Sequence, residues 1–157
     1  MGVDQLSALE EKGRQLFIEV YECNACHQTE NPTGYVIAGT FANIGLQSEY
    51  DDNGVQQVTG NAFDAGRFKI PSLRNVELTG PYMHDGRFET LEEVVEHYST
   101  GIQDHPNLDE RLLDENGEPR VFNISEYEKK AIVAFLGTLT DREMVTAKRF
   151  SDPFKTR

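Results

Sequence analysis

The stretch "CNACH", Cys23 to His27, contains both cysteines of this 157-residue chain and one of its four histidines. Cys-x-x-Cys-His is the spacing with which c-type haem is attached to a protein, because two thiols add across the porphyrin vinyl groups and the adjacent histidine reaches the iron. The stretch therefore predicts one covalent haem c bound by Cys23, Cys26 and His27. A porphyrin also supplies the large apolar centre around which a loop-rich chain can fold.

Two other uses of this cysteine pair fit the sequence less well. A thioredoxin-like dithiol needs a β-α-β context, whereas the residues before Cys23 have the spacing of an amphipathic helix. A structural zinc site needs a fourth ligand, and His84, His97 and His105 do not fall in a paired metal spacing. Haem is the interpretation that accounts for both thiols and the histidine.

The composition is that of a globular domain with an acidic surface. The formal net charge is −12, from 27 acidic and 15 basic residues, which disfavours nucleic acid and anionic lipid as partners and favours a basic or neutral redox partner. No apolar run reaches the length of a membrane-spanning helix, so we expect no membrane insertion. The chain begins without the basic and apolar regions of an export signal.

Three segments have helical spacing. Asp4 to Tyr21 precedes "CNACH", while "TLEEVVEHYSTG" from Thr90 and "SEYEKKAIVAFLGTL" from Ser125 each begin with a capping box. Residues 28–70 are rich in turn-forming residues and predict a long ordered loop that wraps another group. Residues 101–123 and the tail after Asp141 are expected to be peripheral. The predicted fold class is mainly α, a class I cytochrome c-like fold around one haem.

What occupies the iron position opposite His27 decides between electron transfer and reaction with a small molecule, and the candidates for it are Met83, His84, His97 and Tyr98. Met83 lies in a Pro-containing loop beside His84, and Tyr98 lies on the apolar side of the helix that begins at Thr90. His97 falls on the polar flank of the same helix and is expected to face solvent, and His105 is expected to be a surface histidine. The spacing alone leaves the choice open.

A long segment, "GRFKIPSLRNVELTGPYMHDGRFETLEEVVEHYSTGI" from Gly66 to Ile102, resembles the C-terminal haem domain of bacterial dihaem cytochrome c peroxidases and their MauG-like relatives. The similarity extends back to "CNACH" and forward to about residue 141. We therefore predict a cytochrome c-like haem domain over residues 1–141 and a C-terminal tail over 142–157. The resemblance is to only one of the two haem domains of that family.

The resemblance also implies roles for individual residues. In the peroxidases the distal ligand is a methionine fourteen residues after the histidine of "HDG", and in the MauG-like branch the ligand at that position is a tyrosine. The same position in this chain is Tyr98, so the resemblance favours Tyr98 as the distal ligand. Met83 is the second candidate. By the same resemblance His84 lies near the haem and the domain interface, and Arg74 is placed to pair with a haem propionate. The carbonyls of Thr79 and Pro81 match calcium-binding positions, although the family's asparagine partner comes from the other domain.

The resemblance implies a monohaem electron relay. The alternative is a haem peroxidase that reacts with hydrogen peroxide at an open or labile distal site, and a third class is a gas-binding or docking module. Complete two-haem chemistry is not expected of this chain alone, which also lacks the tryptophan that commonly bridges the two haems. Because haem c is attached outside the cytoplasm, we expect a periplasmic or otherwise exported location.

Overall fold

A computed structural model describes residues 5–27, 41–151 and 154. Helices predominate, and the only strands in these ranges form one short antiparallel pair in which Ala42 lies opposite Phe68. The α-helices are α1 (Ala8–Gln15), α2 (Gln56–Thr59), α3 (Leu91–Glu96), α4 (Glu126–Gly137) and α5 (Arg142–Thr146), and the strands are β1 (Phe41–Ala42) and β2 (Phe68–Lys69). Single π-helical turns follow α1 (Leu16–Val20) and α3 (His97–Gly101), and short 3-10 turns lie at Cys23–Ala25, Ala62–Asp64, Val76–Leu78, Glu110–Leu112 and Lys148–Phe150.

The two capping boxes expected from the sequence are formed. The Thr90 hydroxyl accepts from the backbone N–H of Glu93, and the Ser125 hydroxyl accepts from the backbone N–H of Glu128. The carboxylate of each glutamate in turn accepts from the backbone N–H of its cap residue. A third box, from Ser7 to Glu10, starts α1. These bonds satisfy backbone N–H groups that a helix start leaves without partners, so all three helices begin where the capping sequence places them.

The core lies where α1 crosses α4, with α3 packed alongside. Gly13 allows the crossing, because a Cβ there would lie 1.9 Å from the carbonyl oxygen of Ala131. The amphipathic spacing expected before Cys23 is only partly realised: Leu16 and Phe17 are buried, whereas the apolar residues Leu9 and Val20 are exposed. The π-helical turn shifts the register by one residue, which rotates the end of the helix relative to an ideal 3.6-residue spacing.

Apolar side chains from the three helices and the turns next to them pack together in the core. Phe17 and Phe135 pack with their ring centroids 5.5 Å apart. Lys129 on α4 pairs with Glu96 at the end of α3 and ties these two helices together on the outside. The buried members of the core are Leu16, Phe17, Leu91, Val95, Ile124, Ala131, Ile132, Phe135 and Leu136.

The long loops are ordered by buried polar side chains. Asn43 is fully buried, accepts from the Tyr50 hydroxyl and from the backbone of Gly45, and lies 3.0 Å from Nδ1 of His105. The expectation that His105 is a surface histidine is therefore wrong in part, because the residue is half-buried. Residues 28–40 of the predicted wrapping loop lie outside the described residues, so that part of the expectation stays a prediction.

The expectation that residues 101–123 are peripheral is wrong as well. This segment is fixed to the body of the molecule through Gln103, whose N–H donates to Gly45, and Asp109, whose N–H donates to Asn43. Polar turns are compatible with such a position because neighbouring loops satisfy their backbone groups. Within the described part of the chain, no helix is long and apolar enough to cross a membrane.

Candidate haem site

A cavity of about 530 Å³ opens between the helices and the loops, a size in the range typical of cofactor pockets. Its walls are mostly apolar and come from segments that are far apart in the sequence, including residues 109–122, which were expected to be peripheral. Among the apolar lining residues are Phe17, Leu46, Phe68, Ile70, Leu91, Val95, Ile132 and Leu136. Several of these also belong to the core, so the cavity is continuous with the centre of the fold.

The "CNACH" segment forms one wall of this cavity. Glu22 has a left-handed backbone (φ 51°) that ends the preceding helix, and the 3-10 turn Cys23–Ala25 follows. Cys23 and Cys26 both line the cavity and form no disulfide. Burial raises the pKa of the Cys23 thiol to about 12 and also raises that of Cys26. A reactive dithiol uses the thiolate, which burial in this apolar pocket disfavours.

His27 is oriented by a hydrogen bond of its ring. Its Nδ1 lies 3.1 Å from the carbonyl oxygen of Pro71, and since a carbonyl only accepts, Nδ1 carries the proton. Burial lowers the pKa of His27, which keeps the imidazole neutral. The lone pair is then on Nε2, the arrangement found in histidines that bind metals and donate their other N–H to a carbonyl. Pro71 was not among the residues predicted from the sequence.

Tyr98 also lines the cavity, from the π-helical turn after α3. Burial, which is the largest effect, and the nearby Cys23 and Cys26 raise the pKa of its phenol.

His97 lies beside Tyr98. The ring of His97 meets that of Tyr98 edge-on with centroids 5.2 Å apart, and His97 Nε2 lies 3.0 Å from the carbonyl oxygen of Ile44. The expectation that His97 faces solvent is wrong, because only 5% of the residue is exposed.

Met83 and His84 line the cavity too, but in different environments. Met83 has a left-handed backbone (φ 71°), which is costly for a side chain and is concentrated at functional sites. His84 is exposed and stacks on Phe68, with ring centroids 3.7 Å apart and an interplanar angle of 14°. The structure therefore brings six predicted residues to one cavity, namely Cys23, Cys26, His27, Met83, His84 and Tyr98.

Arg74 is the predicted residue that the structure does not bring to the cavity. Its side chain is 61% exposed and lies 3.5 Å from the carboxylate of Asp141. The arginines that do line the cavity are Arg111 and Arg120, in the segment that was expected to be peripheral. No spacing pattern in the sequence points to Arg111 and Arg120, because they come from an irregular loop whose position depends on tertiary contacts.

Metal sites other than the iron of a haem find little support in the described ranges. Residues 5–27, 41–151 and 154 contain no group of three or more His, Cys, Asp or Glu side chains that could hold a metal ion. The cavity does fit haem: it is apolar, Cys23 and Cys26 lie in its wall, and the Nε2 atom of His27 is available for iron.

The chain is similar in sequence to known proteins over most of its length. No family model matches the chain. The chain is 38% identical over 130 residues to the methylamine utilization protein MauG of Methylorubrum extorquens, an alignment that covers 82% of this chain and 33% of the relative. It is 37% identical over 126 residues to cytochrome c551 peroxidase of Nitrosomonas europaea, covering 77% of this chain and 32% of that protein.

Two solved structures share the fold. A MauG-like protein associated with microbial copper homeostasis superposes with a TM-score of 0.77 at 36% identity, covering 99% of this chain and 54% of that one. The diheme peroxidase BthA from Burkholderia thailandensis superposes with a TM-score of 0.70 at 21% identity, covering 90% and 45%. The chain thus spans between about a third and just over half of the length of these relatives. It belongs to the family of MauG proteins and bacterial cytochrome c peroxidases.

Proposed function

We propose that this chain is a c-type cytochrome domain that carries one haem and relays single electrons. In this proposal Cys23 and Cys26 form the thioethers and His27 binds the iron. The observation that carries it is the geometry of His27, whose Nδ1–H donates to Pro71 over 3.1 Å at an apolar cavity that both cysteines line. Membership of a family that contains cytochrome c peroxidases supports haem c as the group.

The haem, when bound, supplies reversible one-electron chemistry. The protein's part is to fix the ligands and to set the dielectric environment. His27 presents a neutral nitrogen in one orientation, since Pro71 holds the opposite ring nitrogen. The apolar walls exclude water, and burial of this kind is one of the levers by which a protein sets a reduction potential. Neither task needs a proton donor in the cavity.

We propose Tyr98 as the distal ligand, with Met83 as the alternative. Tyr98 is supported by the family resemblance, by its place in the cavity wall and by the packing of His97 against its ring. To bind iron, the Tyr98 hydroxyl must lose its proton, which burial opposes, so the positive iron has to supply the compensating charge. An anionic oxygen ligand lowers the potential relative to a thioether.

The substitutions Tyr98→Phe and Met83→Leu test this assignment. We expect Tyr98→Phe to change the ferric absorption and magnetic resonance spectra and to raise the reduction potential, because the anionic ligand is lost. Met83→Leu conserves volume and should leave both spectra as in the wild type. Unchanged spectra in Tyr98→Phe, together with altered spectra in Met83→Leu, would assign the distal position to Met83.

A haem peroxidase is the second candidate, and it is favoured by the similarity to cytochrome c551 peroxidase. It requires a distal position that is open or easily vacated. A high-spin ferric spectrum that responds to hydrogen peroxide would support it, whereas a low-spin spectrum indifferent to peroxide would favour the electron relay.

The partners and the location are part of the same proposal. The net charge of −12 suits a basic redox protein or a neighbouring haem domain, and the rate of electron exchange should then fall as salt rises. A periplasmic or otherwise exported location is proposed because haem c is attached there. Calcium binding at the carbonyls of Thr79 and Pro81 stays a prediction.

A further inference from the structure

Two loops of the cavity wall are held by arginines in the same way. Each arginine follows an aspartate by two residues, binds that aspartate with two nitrogens, and donates its third nitrogen to a backbone carbonyl more than forty positions away in the sequence. The pairs are Asp109 with Arg111 and Asp85 with Arg87. The carbonyls that they reach belong to Ala25 and Leu46.

Arg111 reaches the attachment segment itself. Its Nε and Nη2 donate to the Asp109 carboxylate over 2.7 and 2.8 Å, and its Nη1 donates to the Ala25 carbonyl over 3.1 Å. Ala25 lies between Cys23 and Cys26, so this bond acts on the backbone between the two thiols. The Asp109 side chain is 10% exposed, and its carboxylate holds the guanidinium in a fixed plane.

Asp109 is itself anchored. Its N–H donates to the carbonyl of Asn43, and Asn43 is fully buried with bonds to the Tyr50 hydroxyl and to the backbone of Gly45. Arg111 is therefore connected through Asp109 to a buried hydrogen-bond network. Because Asp109 is held by this network, the arginine holds the Ala25 carbonyl in one position relative to the loop that carries Asn43.

Arg87 makes the equivalent contact with another wall. Its Nε and Nη2 donate to Asp85 over 2.8 and 2.6 Å, and its Nη1 donates to the Leu46 carbonyl over 3.1 Å. Leu46 is buried and lines the cavity. The arginine of each pair also lowers the pKa of its aspartate, so both carboxylates are charged at neutral pH.

We propose that Arg111 and Arg87 are positioning residues, each clamping one wall of the haem cavity through its aspartate and a distant carbonyl. The inference rests on the proposed haem site, because it assigns the clamps to the walls of that cavity. Arg111 fixes the segment that presents both thiols and His27, and Arg87 fixes the loop that carries Leu46. A planar guanidinium suits this role because it binds a carboxylate and a carbonyl at once, which a lysine cannot do with the same geometry.

Amide hydrogen exchange on the haem-loaded protein tests the proposal, with each variant serving as the control for the other. Removing a charge-assisted bond should let its segment open about tenfold more often. Arg111→Gln should therefore speed exchange of the His27 amide and leave the Leu46 amide as in the wild type. Arg87→Gln should do the reverse. Both variants lose one positive charge, so a difference between them cannot come from net charge.

Arg111→Lys keeps the positive charge but loses the planar guanidinium. Exchange of the His27 amide in this variant should therefore be as fast as in Arg111→Gln. Wild-type exchange in Arg111→Lys, or equal exchange at both segments in the two glutamine variants, would overturn the proposal. If Arg111→Gln does not fold, Asp109→Asn applies the same test with the side-chain size conserved. Absence of haem from the wild-type protein would contradict the proposed function, whereas unselective exchange in haem-loaded variants would contradict the clamps alone.

Discussion

Gly13 shows how one residue can determine the packing of the core. A Cβ at this position would lie 1.9 Å from the Ala131 carbonyl oxygen and 2.8 Å from Phe135 Cβ, both on α4. Backbone cannot move aside as a flexible side chain does, so the two helices would have to separate. Gly137, also in a helix, is different: its added Cβ would be 3.6 Å from a Glu77 oxygen, which is ordinary contact.

We therefore expect Gly13→Ala to lower the free energy of unfolding by about 1–3 kcal/mol, the usual cost of overpacking a core. Gly137→Ala is the matched control and should be neutral or stabilising, because alanine favours the helix. Urea unfolding of both variants and the wild type measures the difference. Equal stability of Gly13→Ala and Gly137→Ala would show that the helices do not cross as closely as described.

At this residue scale the sequence was informative where chemistry dictates spacing and uninformative where tertiary contacts decide. Cys23, Cys26 and His27 were predictable because attachment requires their spacing, and the structure places them at one cavity. Pro71 and Arg111 were missed because a carbonyl acceptor and a loop arginine leave no local pattern. His97 was predicted to face solvent because an ideal helix places it on the polar flank, and the π-helical turn changes that geometry.

The helices α1, α3 and α4 begin at capping boxes, and the charge of the glutamate in each box depends on pH. The pKa of Glu128 is lowered, chiefly by its hydrogen bonds from the Ser125 side chain and backbone. A carboxyl whose pKa is lower in the folded state stabilises the fold above its unfolded pKa, and this contribution is lost as the pH falls through the folded pKa. The start of α4 should thus weaken in acid.

Glu128→Gln tests this at the level of the element. The variant should be less stable than the wild type at pH 7, and the difference should shrink as the pH falls below about 4, where the wild-type carboxyl is protonated as well. Ser125→Ala should cost about 1 kcal/mol at neutral pH through loss of the cap. Thermal unfolding across the pH range provides the measurement, and a Glu128→Gln deficit that persists unchanged at pH 3 would contradict the account.

The elements were predictable to the extent that their signals are local. Capping boxes at Thr90 and Ser125 set two helix starts correctly, since a cap is specified by four neighbouring residues. The π-helical turns at Leu16–Val20 and His97–Gly101 were not predicted, because a spacing argument assumes an ideal 3.6-residue helix. The position of residues 101–123 was predicted wrongly as well, because polar composition alone placed them at the periphery.

At the scale of the whole molecule, the loops and helices surround an apolar cavity that is continuous with the core between α1, α3 and α4. Cys23, Cys26 and His27 lie in its wall with Tyr98, and the apolar residues around them account for much of the lining. A covalently attached haem stays on the chain when the protein unfolds, so it stabilises the folded state because its apolar surface is buried only there. We therefore expect the haem-free protein to unfold at a lower temperature than the haem-loaded protein.

The most direct test is the intact mass and the absorption spectrum of the protein produced with the machinery for haem c attachment. We expect the mass of the polypeptide plus one covalent haem and a c-type spectrum that survives denaturation. A Cys23→Ala, Cys26→Ala double variant should lose the covalent haem under the same conditions. A colourless wild-type protein with the mass of the bare polypeptide would contradict the central claim.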